Sequence, residues 1–119
     1  MAIDHVLAVV PVSDIDTARD WYERLLGRTP DNRPMNNLAE WQVTGSAWLQ
    51  VWEDADRAGT ALLNFAVDDL AEHLDGLASK GLVPGEIQTV NKGVQLSAVT
   101  DPDGNTITFI GNFRVNYWL

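Results

Sequence analysis

Hydrophobic and polar positions follow two different periods along the first part of the chain. Residues 3–10 form a nearly continuous run of aliphatic and β-branched side chains, which is typical of a buried strand. From Ile15 to Leu26 the apolar residues recur at every third or fourth position, which predicts an amphipathic helix. Ser13 and Asp14 offer an N-cap before this helix, and Gly27 lies where a C-cap glycine belongs. The chain is therefore predicted to begin with a strand and a helix.

Three more strands are predicted before the middle of the chain. Residues 28–35 include two prolines and indicate a short strand and a loop. Residues 38–43 and 47–52 are rich in apolar and aromatic side chains, and a tight turn at residues 44–46 joins them. The first half is thus predicted to have the order strand, helix and three strands.

The same order begins again in the second half. Residues 61–67 predict an aliphatic strand, Asp68 and Asp69 cap a second amphipathic helix, and Gly81 ends it. Three strands are predicted to follow, over residues 82–88, 94–99 and 106–110. Between the last two, the residues 101–104 (Asp-Pro-Asp-Gly) suit a type I turn, so we expect a hairpin there.

The repeated order predicts an α+β fold of two βαβββ modules, at about residues 1–56 and 60–119. One module of this length leaves an apolar sheet face uncovered, so the two modules must share one structure. At 119 residues the chain also has the usual size of one domain. We therefore predict a single domain, residues 1–119, with about eight strands and two principal helices.

Composition and charge exclude several classes of function. The chain has no cysteine, which rules out disulfides, thiolate metal ligands and a cysteine nucleophile. Seventeen acidic and eight basic residues give a net charge of −9, which repels phosphate backbones and anionic lipid. We therefore expect no nucleic-acid partner. The charge favours a cationic partner, and simple solubility is the alternative reason for it.

The N-terminal residues predict neither a secretory signal nor a membrane span. No basic segment precedes the apolar run of residues 6–12, and this run is far too short to cross a bilayer. We expect a cytoplasmic protein without a membrane partner.

Three segments of the chain together resemble a known family. They are Asp4-His5-Val6 on the first strand, the helix end at residues 21–27 (WYERLLG), and residues 101–105 (DPDGN) at the last hairpin. This pattern is similar to the vicinal oxygen chelate superfamily, which contains glyoxalase I, bleomycin-resistance proteins and extradiol dioxygenases. The resemblance implies that the duplicated modules form a concave mixed sheet around one cleft. It also implies that a second subunit completes the cleft, so we expect a homodimer.

The resemblance also places the family's metal ligands in this sequence. In metal-dependent members, the first and last strands of each module supply histidine and glutamate ligands to one divalent ion. These positions correspond to His5, Gln50, Asn64 and Thr108. Only His5 is a usual ligand, and the other three are neutral, so no anionic group is available to hold the ion. We therefore predict that the protein holds no metal and no other cofactor.

The tryptophans give the second prediction about the cleft. The chain has five, and strand alternation places Trp48 and Trp52 on the same sheet face as Gln50. We expect both indoles in the cleft, with Trp41 of the neighbouring strand added to the aromatic wall. Indole faces stack on planar ligands and attract cations. Packing in the core or at the dimer interface is an alternative role for these side chains.

The leading functional prediction is a protein that binds or sequesters a small planar molecule without a metal, with a cationic molecule favoured by the acidic charge. Its ligand-binding cleft would comprise His5, Trp41, Trp48, Gln50, Trp52, Asn64 and Thr108. One alternative is a lyase, isomerase or dioxygenase of the same superfamily with a non-standard or absent metal site and His5 as acid–base. Another is an aromatic surface for a protein partner. The apolar tail of Phe113, Tyr117, Trp118 and Leu119 is expected to pack on the domain or on its partner.

Overall fold

The computed structural model describes residues 2–116 and contains two α-helices and eight strands. In chain order the elements are β1 (Val6–Val12), α1 (Ile15–Leu26), β2 (Asn32–Met35), β3 (Leu38–Thr44), β4 (Ala47–Glu53), β5 (Leu62–Val67), α2 (Leu70–Ser79), β6 (Gln88–Thr89), β7 (Gln95–Thr100) and β8 (Thr106–Gly111). A short 3₁₀ turn at Asn91–Gly93 lies between β6 and β7. Three of the predicted tail residues, Tyr117, Trp118 and Leu119, lie outside the described residues, and Phe113 is exposed. No helix within the described part of the chain is both long and apolar enough to cross a membrane.

The strands form two mixed sheets with the same topology. The strand order is β1-β4-β3-β2 in the first sheet and β5-β8-β7-β6 in the second. The pairs β1–β4 and β5–β8 are parallel, and the remaining pairs are antiparallel. Each half of the chain therefore has the order β-α-β-β-β. The predicted α+β fold with duplicated βαβββ units is confirmed.

Local capping groups fix the ends of both helices. The Asp14 carboxylate accepts hydrogen bonds from Asp16 N at 3.3 Å and from Thr17 Oγ1 at 2.7 Å. These bonds stabilise the carboxylate and so lower the pKa of Asp14 below its ordinary value, with the bond from Thr17 making the largest contribution. Gly27 ends α1 in the left-handed region at φ 77°. Asp69 caps α2 in the same way, because its carboxylate accepts from Glu72 N at 3.1 Å. The predicted cap residues Asp14, Asp69 and Gly27 are confirmed.

One predicted strand is much shorter than expected. Residues 82–88 were predicted to be extended in a sheet, but only Gln88–Thr89 pairs with β7. Pro84 lies in this segment and has no backbone N–H to donate to a neighbouring strand. A single backbone bond from Gly85 N to Ala98 O, 2.9 Å long, attaches the segment to β7.

A single hydrophobic core includes residues of both halves. Each sheet turns alternate side chains towards a helix. In the first half these include Val10, Val12, Trp41, Leu49 and Val51, and in the second they include Val99, Ile107 and Phe109. The side chains between these positions point to the opposite face of each sheet, and the helices do not cover that face. We call the uncovered face of β1-β4-β3-β2 the open face of the first sheet.

The turn between β7 and β8 connects the two halves through buried polar groups. Gly104 N donates to Asp101 O at 3.0 Å, which closes the predicted turn and confirms the hairpin. The Asp101 carboxylate accepts from Tyr22 Oη at 2.8 Å and from Asn105 Nδ2 at 2.8 Å. Burial and the nearby Asp101 carboxylate raise the pKa of Tyr22 well above its ordinary value, so the phenol stays protonated as the donor.

Asn105 extends this connection to the adjacent strands. Its Nδ2 group also donates to Pro11 O at 2.7 Å, and its Oδ1 accepts from Ala61 N at 2.9 Å. Pro11 belongs to β1, and Ala61 directly precedes β5. One fully buried carboxamide therefore joins the first strand of each half to the last hairpin.

Candidate functional site

The open face of the first sheet carries two tryptophans, both on β4. Trp48, Gln50 and Trp52 of β4 point to this face, whereas Leu49 and Val51 are buried against the helix side. The alternation predicted for this strand is therefore confirmed. The Trp52 side chain is 38% exposed, so its ring is accessible to a ligand. Because the helices do not cover this face, both indoles are available for contacts outside the core.

A row of side chains crosses the open face between the two indoles. Gln50 pairs with Val9 of β1 on one side and with Glu40 of β3 on the other. Gln50 Nε2 donates to Glu40 Oε2 at 2.6 Å, and Asn32 Nδ2 donates to Glu40 Oε1 at 3.5 Å. A carboxylate thus lies beside the polar position that the sequence had assigned to the cleft.

Sequence reasoning missed Glu40, although a signal for it was present. The tight turn at residues 44–46 makes β3 and β4 a hairpin, and alternation along β3 separates Ala39 and Trp41 from Glu40. Pairing the two strands across that turn would have placed Glu40 next to Gln50. The turn length alone did not fix the register, because the pairing shifts between Gln42 and Thr44.

One cavity opens along the end of this face. Its volume is about 440 Å³, within the range of small-molecule pockets. Its lining residues are Val9, Pro11, Gln50, Trp52, Asp54, Arg57, Thr60 and Ala61. Arg57 Nε lies 3.4 Å from Asp54 Oδ2, so these two charges are paired at the rim. Four of these eight residues are apolar and four are polar or charged, so the cavity offers both apolar contact and hydrogen-bonding groups.

Trp41 does not belong to this surface, and the prediction that it adds to the aromatic wall is wrong. Its side chain is completely buried, and its indole N–H donates to Arg28 O at 3.0 Å. Trp41 is paired with Leu49 across the sheet, so both side chains point to the helix side, where Trp41 lies 6.4 Å from the ring of Tyr22. The core can hold this indole because the carbonyl of Arg28 satisfies its only donor.

The other predicted cleft residues do not form one group within the chain. His5 is exposed and precedes β1, and four residues of extended chain, about 13 Å, separate it from Val9, the neighbour of Gln50. Asn64 and Thr108 are direct partners on the second sheet. Thr108 lines a separate cavity of about 430 Å³. The structure therefore brings together Asn64 with Thr108 on the second sheet and Gln50 with the two indoles on the first. His5 lies two residues before Leu7, the partner of Trp48.

These positions do not fit a divalent ion. Gln50, Asn64 and Thr108 are neutral, and His5 lies outside the strand. Among residues 2–116, no three side chains of histidine, cysteine, aspartate or glutamate are grouped so that they could hold a metal. The donor set of a catalytic divalent ion, with its anionic ligands, is not assembled by these residues.

The second histidine has a packing role. The ring of His73 lies 4.5 Å from the ring of Phe109, on the helix side of the second sheet. Burial, together with the positive charge of Lys80, lowers the pKa of His73 below its ordinary value. The half-buried imidazole therefore packs as an aromatic side chain at the edge of the core.

Comparisons with known proteins agree with this architecture. The model of the family described as the Glyoxalase/Bleomycin resistance protein/Dioxygenase superfamily matches residues 2–109. No curated protein matches the chain. Among solved structures, a glyoxalase/bleomycin resistance protein from Catenulispora acidiphila DSM 44928 is 33% identical, over 90% of this chain and 96% of that chain, with a TM-score of 0.84.

Two further solved structures are those of binding proteins. An antibiotic-binding protein from Streptomyces sp. CB03234 is 25% identical, over 93% of this chain and 98% of that chain, with a TM-score of 0.76. A bleomycin-binding protein solved in complex with bleomycin has the same fold at 24% identity, over 92% of this chain and 99% of that chain, with a TM-score of 0.76. Because the family model covers most of the sequence, the chain belongs to the Glyoxalase/Bleomycin resistance protein/Dioxygenase superfamily.

Proposed function

We propose that this protein binds and sequesters a small planar molecule on the open face of its first sheet, without a metal ion. The observation that carries the proposal is the placement of Trp48 and Trp52 on either side of Gln50, on a face that the helices leave open. Flat aromatic rings gain most from stacking on such indoles, because both the contact area and the ring quadrupoles favour it. The cavity beside Trp52 offers the space for part of the ligand.

Binding without chemical conversion is favoured by the residues around the indoles. A lyase, isomerase or dioxygenase needs a metal or a positioned acid–base group near the substrate. Neither histidine lies beside Gln50, because His5 precedes β1 and His73 packs on Phe109. The carboxylate that does lie there, Glu40, is held by hydrogen bonds from the neutral amides of Gln50 and Asn32. The family's metal positions carry neutral side chains. The antibiotic-binding relative from Streptomyces supports the same class of function.

Alanine replacement of either indole is expected to weaken binding. For Trp48→Ala and for Trp52→Ala we expect a loss of about 1–3 kcal/mol in the free energy of binding, the usual effect of removing a buried aromatic contact. The measurement is a fluorescence titration of the chelator-treated protein with a set of planar dyes. Folding should survive in both variants, because both side chains lie outside the core.

His5→Ala serves as the control for this pair. It should change dye affinity little, because in the proposed function His5 holds no metal and transfers no proton. Metal titration of the same protein gives the opposing test. One tightly bound divalent ion per chain, together with an enzymatic activity lost in His5→Ala, would contradict the proposal.

We also propose that the protein acts as a homodimer. Leu7 on β1 remains 49% exposed, and Leu62 on β5 remains 85% exposed. Both strands lie at sheet edges in the described chain. Burying these side chains against a symmetry mate would remove an apolar surface that is costly to leave in water. Light scattering is expected to give twice the mass of the chain, and a monomer mass at high concentration would contradict the proposal.

A further inference from the structure

Glu40 is the acidic side chain placed between the two indoles of the open face. It lies in β3 directly opposite Gln50, and Trp48 and Trp52 are the residues on either side of Gln50 along β4. Both indoles are therefore diagonal neighbours of Glu40, at about 7–8 Å between backbone positions, a distance that aromatic side chains span. Glu40 is half-buried, so a ligand resting on the indoles can reach its carboxylate.

The hydrogen bonds of Glu40 hold the carboxylate in place and leave its charge unmatched. Both donors, Gln50 Nε2 at 2.6 Å and Asn32 Nδ2 at 3.5 Å, are neutral amides. The ion pairs formed among residues 2–116 involve Asp20, Glu23, Asp31 and Asp54, and none includes Glu40. A fixed anion without a cation partner, in a partly desolvated position, attracts a positive group more strongly than an exposed carboxylate does.

The basic side chain that lines the cavity is already paired with another carboxylate. Arg57 lines the cavity beside Trp52, but its guanidinium is paired with Asp54 at 3.4 Å. The remainder of the molecule carries a net negative charge, so its long-range field has the same sign. Carboxylate, indole faces and overall field therefore all favour a cation at one place.

We propose that Glu40 selects the charge of the ligand, and that the ligand is a flat aromatic cation such as an N-alkylated heteroaromatic ring. The ring stacks on Trp48 or Trp52, and its positive nitrogen lies over the Glu40 carboxylate. This inference rests on the proposed binding function and names the chemical class of the ligand. The indoles would supply the stacking contacts, and Glu40 would favour a positively charged ligand over a neutral one.

A matched pair of dyes separates stacking from charge. N-methylacridinium is a permanent cation, and acridine has the same ring system but is neutral at slightly alkaline pH. The wild-type protein should bind the cation more tightly than acridine. Glu40→Gln should weaken binding of the cation about tenfold and leave acridine affinity within about twofold, because only a charge-assisted contact is removed.

Two control variants isolate the local charge. Asp75→Asn removes one negative charge on α2, which packs on the other sheet, and should leave both affinities unchanged. Glu40→Asp keeps the charge and should retain the preference for the cation. The urea midpoint of each variant reports whether the fold is intact, and Glu40→Asp also tests the proposal if Glu40→Gln unfolds.

The possible outcomes distinguish this inference from the proposed function. If wild-type protein binds both dyes equally, or if Glu40→Gln weakens both equally or neither, the role of Glu40 is wrong and planar-ligand binding still holds. If Glu40→Asp folds and loses the preference for the cation, the role of Glu40 is also wrong. If wild-type protein binds neither dye, both proposals are contradicted.

Discussion

Replacing Asn105 with alanine is expected to lower the free energy of unfolding by about 3–5 kcal/mol. The side chain is fully buried and makes three hydrogen bonds through its carboxamide, to Pro11 O, Ala61 N and Asp101 Oδ2. Alanine would leave Ala61 N unpaired in the interior, which costs about 1–3 kcal/mol. It would also remove one bond each from Pro11 O and Asp101 Oδ2, which keep bonds from Gly59 N and Tyr22 Oη, at about 0.5–1.5 kcal/mol for each lost bond. Urea unfolding followed by circular dichroism measures the loss.

Asn36→Ala is the matched control for this substitution. Asn36 is exposed in the turn between β2 and β3, so the same change of residue type should alter stability by less than about 0.5 kcal/mol. A loss below about 1 kcal/mol for Asn105→Ala would mean that water or a shifted backbone satisfies the three partners. That result would contradict the role of Asn105 as the connection between the two halves.

Gly59→Ala is expected to destabilise the protein by about 3 kcal/mol or more. Gly59 lies in the segment between β4 and β5 with φ +86°, a conformation that side chains rarely adopt. A Cβ atom there would also lie 2.2 Å from the carbonyl oxygen of Asp103, which belongs to the backbone and cannot rotate away. The segment and the β7–β8 turn would have to separate, and the urea midpoint should fall accordingly.

Gly45→Ala provides the corresponding control. Gly45 also lies in a connection between strands, but its φ is not positive and a Cβ atom would meet nothing within 4 Å. We expect a change of at most about 1 kcal/mol in either direction. Equal effects at Gly59 and Gly45 would show that the close approach of residues 59 and 103 is not important for folding.

Elements defined by local pattern were predictable from the sequence. The helices followed from apolar spacing and from the caps Asp14, Asp69 and Gly27, all of which act through neighbouring residues. The alternation of β4 followed for the same reason, since side chains on one strand change face at every residue. The family pattern added the topology, because residues 101–105 identify a turn that closes the duplicated unit.

Features that depend on distant residues were not predictable in this way. Trp41 was expected on the open face, but its position depends on the pairing with Leu49 and on the carbonyl of Arg28, thirteen residues away in the chain. Glu40 is a different case, because the hairpin of β3 and β4, a local feature, pairs it with Gln50. The DPDGN segment was understood only as a turn, whereas its buried Asp101 and Asn105 side chains contact α1, β1 and the residue before β5. Such contacts are set by tertiary structure and leave no local pattern in the sequence.

We propose that the indoles of Trp48 and Trp52 form the binding surface, and that no metal takes part in binding. Nuclear magnetic resonance of isotope-labelled, chelator-treated protein tests it most directly, because each indole N–H gives its own signal. On titration with N-methylacridinium, the assigned signals of Trp48 and Trp52 should shift and saturate together. The signal of Trp41, whose N–H is bonded to Arg28 O inside the core, should remain in place. Saturable binding that leaves both Trp48 and Trp52 unshifted, or no binding of the dye at all, would contradict the claim.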